Sequence, residues 1–237
     1  MAVQVDTRDS AALSDTDLDE MASIGGSFDI GTVSKAKEDW VLSTAARIDG
    51  TLHGYMFATL ERIGGTPCVL IGLISVKRTS KRDQALKGLI GMLSVKRSSK
   101  RDQVLKGLMG EAFHRALMAF PDEDVVVGTR MVSADGFEAF KQIGDVIPRP
   151  GHRAVGEERA WGRRLAKRFA VDANYDEQSF VVKANGHSGY LDHESSKPEK
   201  LSADVVAQFT AVNRKKGGVL IVHGWTMAED LVKLGKR

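Results

Sequence analysis

The sequence predicts an α/β fold: a mixed central sheet with flanking helices, continued by a C-terminal α/β extension. Three observations predict it. Asp49-Gly50 suits a two-residue turn and is flanked by strand-like runs at 40–48 and 53–62. Residues 68–76 and 125–130 are apolar on both faces, as strands inside a covered sheet must be. Between them, 102–120 places Leu105, Leu108, Met109, Ala112, Phe113, Ala116 and Leu117 on one helical stripe. Strands and helices in this succession, beside a hairpin, give a sheet of mixed direction.

The remaining elements follow in order. Residues 1–12 are polar and read as a loose lead-in. Ser14 and Asp17 form a capping pair, and Leu18, Met21 and Ile24 carry the helix spacing until Gly25-Gly26 ends it. Gly64-Gly65-Thr66-Pro67 turns the hairpin into the strand 68–76, and Pro121 with the acidic residues 122–124 closes the long helix. Residues 134–143 form a short amphipathic helix ending at Gly144. The Pro-Arg-Pro-Gly-His stretch 148–152 reads as a linker. It makes 12–147 one unit, and 148–237 either an extension or the second half of the sheet. Within the latter, 157–170 is a basic helix around Trp161, 179–183 a short strand and 184–202 polar and turn-rich. A helix (203–213), a strand (219–222) and a helix (226–234) complete the chain.

Composition narrows the class. With 42% hydrophobic and 27% charged residues over 237 positions, the chain has the make-up of a folded, water-soluble protein. No apolar run approaches the length of about 18 residues that spans a bilayer, and no secretory signal opens the sequence. The single cysteine, Cys68, excludes an internal disulfide framework and suits a reducing cytoplasm; beside Pro67 in an apolar strand it reads as a buried structural thiol. The six histidines have no zinc-ligand spacing, and neither a P-loop nor a Gly-x-Ser-x-Gly motif is present. No metal site is expected, and 192–194 reads as part of a solvated loop.

Residues 71–89 and 90–108 repeat one another, differing at four of 19 positions (Leu73/Met92, Ile74/Leu93, Thr79/Ser98, Ala85/Val104). Two copies are too few for a solenoid, so this is a local tandem duplication. Each copy carries five Lys/Arg and one Asp, so the net charge of +3 would fall to −1 without one of them. Only one copy can fill a strand–loop–helix unit. The unbroken run 68–76 assigns the strand to the first copy, and continuity into 111–120 assigns the helix to the second. About residues 77–100 are left as an insertion. Its helix from Asp83 would align Leu86, Leu89, Ile90 and Leu93, an apolar face that predicts a homodimer.

A buried strand leading through a basic loop into a helix start is an anion site, because free amides and the helix dipole converge there. Val95, Lys96, Arg97, Ser98, Ser99, Lys100 and Arg101, with Gly107 and Gly110 in the first turns, are the candidate phosphate-binding residues. With Leu105-Lys-Gly107-Leu-Met-Gly110-Glu-Ala112, the strand 125–130 and the helix 137–144, the region 12–147 resembles the GNAT acyltransferase superfamily, chiefly in element order. The resemblance implies a GNAT-like fold, acetyl-CoA or another acyl-CoA as cofactor, and transfer of the acyl group to a small-molecule or peptide amine. The family often carries a tyrosine acid where this chain has Phe140, so the acid must come from elsewhere. Tyr55 is the candidate acid and Glu61 the candidate base. The alternative is a non-catalytic module whose doubled Ser-Lys-Arg loops grip nucleic-acid phosphates. No aromatic ladder accompanies those basic residues, and the basic face Trp161-Gly-Arg-Arg-Leu-Ala-Lys-Arg168, which nucleic acid could touch, reads first as a solvated helix face.

Overall fold

The structure is a computed structural model that describes residues 2–24, 28–78, 100–186, 189–195, 197 and 200–235. The hairpin sets its frame. β2 (Leu42–Ile48) and β3 (Thr51–Ile63) pair through a turn whose Asp49 and Gly50 have φ of 50° and 76°. Such a turn needs positive φ at both central residues, which aspartate and glycine tolerate. β4 (Thr66–Val76) returns along β3 and is buried from Pro67 onward. α3 (Lys100–Ala119) crosses one face and delivers β5 (Val125–Met131), which pairs parallel to β4. The strand therefore comes from the first repeat copy and the helix from the second. Val95, Lys96, Arg97, Ser98 and Ser99, and the expected helix from Asp83, lie outside the described residues.

Four expectations are corrected. The lead-in holds a strand, β1 (Gln4–Asp9), paired antiparallel with β2. Its Val5 and Thr7 face inward between exposed Gln4 and Asp6, and the partner that orders it lies some forty residues away. Residues 134–143 do not form an α-helix: Ala134–Phe140 is a 3-10 helix, followed by β6 (Gly144–Ile147). The polar stretch 184–202 contributes β9 (Leu191–Asp192) to the sheet. The helix expected at 203–213 is the shorter α5 (Ala203–Gln208), because Phe209 turns back to meet Phe137 edge-on at 5.9 Å.

The sheet runs β1-β2-β3-β4-β9-β5, then β10 (Val219–Thr226), β8 (Val181–Val182) and β7 (Tyr175–Asp176), with β6 also on β10. Strands on both sides of residue 148 thus share one mixed sheet, the α/β class expected. On one face α3 packs Val104, Leu105, Leu108 and Phe113 with Met56, Ile71, Val127 and Val222, joined by Leu231 of α6 (Ala228–Leu234). Opposite lie α1 (Asp15–Ser23), capped by Ser14 and Asp17 as expected, α2 (Ile30–Asp39) and α4 (Gly156–Arg168). Leu18, Val33, Trp161 and Leu165 from these helices cover Tyr55, Phe57, Leu70 and Val126. Among the described residues, no helix is long and apolar enough to cross a membrane.

Gly54 and Gly72 permit close approaches to the sheet. A Cβ at Gly54 would lie 2.6 Å from Val104 Cγ1, and one at Gly72 only 1.8 Å from the Trp40 ring. Gly110, on α3, has open space instead. We expect Gly72→Ala to lower the unfolding free energy by about 1–3 kcal/mol through overpacking. Gly110→Ala should raise it by about 0.5–1 kcal/mol, the helix-interior cost of glycine. Urea titrations of both variants check the contrast.

Candidate functional site

In an open α/β sheet, ligands bind in the crevice beyond the carboxyl ends of parallel strands. Here β4 and β5 are the parallel pair, and they stay together only at their beginnings. Cys68, Val69 and Leu70 face Val126, Val127 and Gly128. Beyond that the strands part. Ile74 and Ser75 lie beside Leu191 and Asp192, while Met131 faces Leu191 from the other side. The chain has filled the gap with its own β9, and the Ile74 amide donates to the Tyr190 carbonyl at 3.2 Å.

The start of α3 opens onto this gap, and its cations meet acids from the same segment. Arg78, just past β4, donates to Asp192 Oδ1 at 2.7 Å, and Arg101 in the first turn of α3 pairs with Glu194. Lys100 stands exposed beside it. Residues 192–194 are therefore no solvated loop: Asp192 and His193 are 4% and 3% exposed. Polarity in the sequence suggested solvent, but the partners for these groups come from β4, α3 and the 3-10 helix.

Glu138 on that 3-10 helix holds the end of the segment. Its Oε2 lies 2.8 Å from His193 Nε2, and its Oε1 accepts from the Ser195 hydroxyl at 2.8 Å and from Lys141 at 3.2 Å. Burial pushes this carboxyl up, but the bonds from His193, Ser195 and Lys141 outweigh it and hold the pKa down at about 2. Asp102, Glu138 and His193 place ligand atoms within 4.8 Å of one another, close enough to hold a divalent cation. The His193–Glu138 hydrogen bond already joins two of the three.

The structure scatters the remaining sequence candidates. Tyr55 is 1% exposed and lies opposite Ser75, at the crevice end of β3. Burial drives its phenol well above the ordinary tyrosine range, so it stays protonated. Glu61 lies opposite Cys68, at the other end of the same strand. Six residues of strand separate it from Tyr55, about 20 Å. Its carboxylate is held by Arg168, at 2.6 Å from Nε and 3.1 Å from Nη2. Gly107 and Gly110 do not fall in the first turns of α3. They sit about 10 and 15 Å along it from Lys100, and Gly107 gives room to β1, a Cβ there lying 3.1 Å from Val5. Phe140 is buried in the core at 2% exposure. The Cys68 thiol is raised to about 11 by burial, as an inert structural cysteine should be.

One residue at the crevice escaped sequence reasoning. His53 is the third residue of β3, and its carbonyl accepts from the Lys77 amide at 2.8 Å. Burial, then Lys77 and Lys100, push its pKa below the ordinary histidine value, leaving the imidazole neutral and able to accept a proton. A lone histidine beside a hairpin turn carries no sequence signal; the two lysines that tune it come from other elements.

No family model matches the chain, and no curated protein matches it. Two solved structures are similar in part. One is a ribosomal-protein-alanine N-acetyltransferase from Brucella melitensis biovar Abortus 2308, 19% identical, with a TM-score of 0.26 over 38% of this chain and 70% of that one. The other is a GNAT family acetyltransferase from Brucella melitensis in complex with acetyl-CoA. It is 18% identical, with a TM-score of 0.27 over 52% of this chain and 75% of that one.

The Glu138 cluster has a pH signature. Its folded pKa of about 2 lies below the unfolded value of 4.5. The stability it contributes is therefore full above pH 4.5 and lost as pH falls toward 2. Glu138→Gln should remove that part of the acid limb, leaving a shallower decline over this window when urea midpoints are measured against pH.

Proposed function

We propose that the chain is an acyl-CoA-dependent N-acyltransferase acting on an amine, with the β4–β5 crevice as its cofactor site. The observation that carries the reading is one parallel strand–helix–strand unit in a largely antiparallel sheet, its cationic helix start standing over diverging strand ends. Arg78, Lys100 and Arg101 would meet cofactor phosphates. The edge of β4, whose Ile74 amide now serves Tyr190, would pair with an extended amide-bearing arm and polarise the acyl carbonyl. An amine held beside the thioester attacks the carbonyl, the carbon–sulfur bond breaks, and the thiolate leaves. His53 takes the proton from the amine and Tyr55 protonates the thiolate.

On this reading β9 and its acids occupy the cofactor's place, so binding must displace them. Asp192 and Glu194 are intramolecular competitors for the cations a cofactor needs. In the double variant Asp192→Asn, Glu194→Gln, the affinity for acetyl-CoA should rise a few-fold, since each ion pair, with one partner largely buried and the other near half-exposed, contributes about 1 kcal/mol. Calorimetric titration with acetyl-CoA reads this directly. Unchanged or weaker binding contradicts the competition.

The reading itself is tested by thermal unfolding with millimolar acetyl-CoA and by thiol release in the presence of a panel of amines. A parallel variant lacking residues 77–95 restores a single copy of the repeat by joining Val76 to Lys96. A ligand at 100 times its dissociation constant stabilises by about 2.7 kcal/mol, a shift of a few degrees at this size. Stabilisation of both proteins supports the site, and stabilisation of the shortened variant alone means that the second copy obstructs it. His53→Gln should then slow turnover by about 10²-fold or more, with binding retained. No shift in either protein overturns the acyl-CoA reading.

A further inference from the structure

Across the sheet from α3 lies a cavity of about 520 Å³ between the end of α2 and the segment following α4, lined by Lys35, Asp39, Trp40, Arg130, Arg168 and Phe169 among others. Its size is ordinary for a small-molecule site. Its unusual feature is Arg130, on β5, which is 3% exposed. Nη2 donates to the Gly72 carbonyl at 3.2 Å and Nη1 to the Gly186 carbonyl at 3.5 Å; among the described residues Nε has no partner. A guanidinium has five N–H donors, so three find no partner among the described residues. Among the described residues no carboxylate forms an ion pair with Arg130, and the Phe169 ring, 4.8 Å below it, is its other neighbour.

Chains rarely bury a charge without pairing it, because desolvation costs several kcal/mol per ion. Asp39, on the wall, acts on Arg130 only through space, and Arg168 opposes it. The charges around the cavity do not cancel either. Arg168 is committed to Glu61 and its guanidinium rests over Trp40 at 5.4 Å. Asp39 is then the one acid facing both Lys35 and Arg130. One positive charge is left over, with an unfilled fork of donors. Trp40, Phe169, Ala170 and Val171 give the remaining wall apolar surface, and Asn185 adds one neutral polar side chain.

We propose that this cavity binds the carboxylate of a small acid with an apolar body, the carboxylate on Arg130 and the body against Trp40 and Phe169. A planar two-oxygen monoanion matches both the fork and the single excess charge. A phosphate dianion overshoots that charge and gains nothing from the rings. The site lies on the face of the sheet opposite α3 and does not rest on acyl transfer.

Calorimetric titration of the full chain with acetate, isovalerate and phenylacetate tests it, beside neutral phenylacetamide and inorganic phosphate. The expected result is saturable 1:1 binding that tightens from acetate to phenylacetate, with phenylacetamide at least tenfold weaker. Arg130→Met should abolish binding yet melt at the same temperature or a few degrees higher, because an unpaired buried charge is replaced by apolar volume. Lys35→Gln, at an exposed position, should weaken binding several-fold without affecting folding, and it decides the matter if the Arg130 variant fails to fold. Three results overturn the proposal: no saturable carboxylate binding, equal binding of phenylacetamide, or binding unchanged by both substitutions. Binding of inorganic phosphate in place of the carboxylates overturns the assigned ligand class.

Discussion

The parallel pairing of β4 with β5 lasts for three residues on each strand and then fails. Much of the rest of the molecule is arranged around that failure. Where two parallel strands part, the backbone groups along their inner edges lose each other as partners, and buried amides and carbonyls must be satisfied in some other way. The chain supplies three answers. Tyr190 takes the Ile74 amide, the Thr129 hydroxyl takes the Ile71 carbonyl at 3.0 Å, and Arg130 takes the Gly72 carbonyl. A strand from residue 191, a buried hydroxyl and a buried cation all serve the same gap.

Two of these answers differ in kind. The crevice side is electrostatically closed: Arg78 has Asp192, Arg101 has Glu194, and Glu138 gathers His193, Ser195 and Lys141. The cavity side is open, with Arg130 taken out of water and given carbonyls and a ring face but, among the described residues, no ion-pairing carboxylate. Closed networks of this sort hold a segment in place until something of like charge and shape displaces it. An open one favours whatever anion enters. Gly72 links the two, since its carbonyl faces Arg130 while its missing side chain admits the Trp40 ring that walls the cavity.

The parts legible in the sequence were those whose signal is local. Asp49-Gly50 dictates its turn, Ser14 and Asp17 cap their own helix, and the stripe from Leu105 to Leu117 describes the buried side of α3 unaided. The repeat could be apportioned between strand and helix because apolar continuity differs on the two sides of it. Val104, one of the four positions that distinguish the copies, proves to be the side chain seated on Gly54. What escaped was non-local. β1 is ordered by β2, α2 buries only Val33 and Ala36 and so shows no stripe, and β9 is two residues long, defined by its neighbours. Glu61 looked available because its partner, Arg168, stands 107 residues away. Arg130 was in plain view as the charge ending an apolar run, a signal that a buried-strand reading passes over.

Hydrogen exchange at residues 190–195, with and without saturating acetyl-CoA, tests most directly whether β9 holds the place of a cofactor. Displacement predicts faster exchange of these amides in the bound protein, while the β4 amides opposite them, Ile74 included, stay protected by the ligand. Residues 190–195 remaining as protected with acetyl-CoA bound as without it would contradict the account, and would put the cofactor's site elsewhere on the sheet.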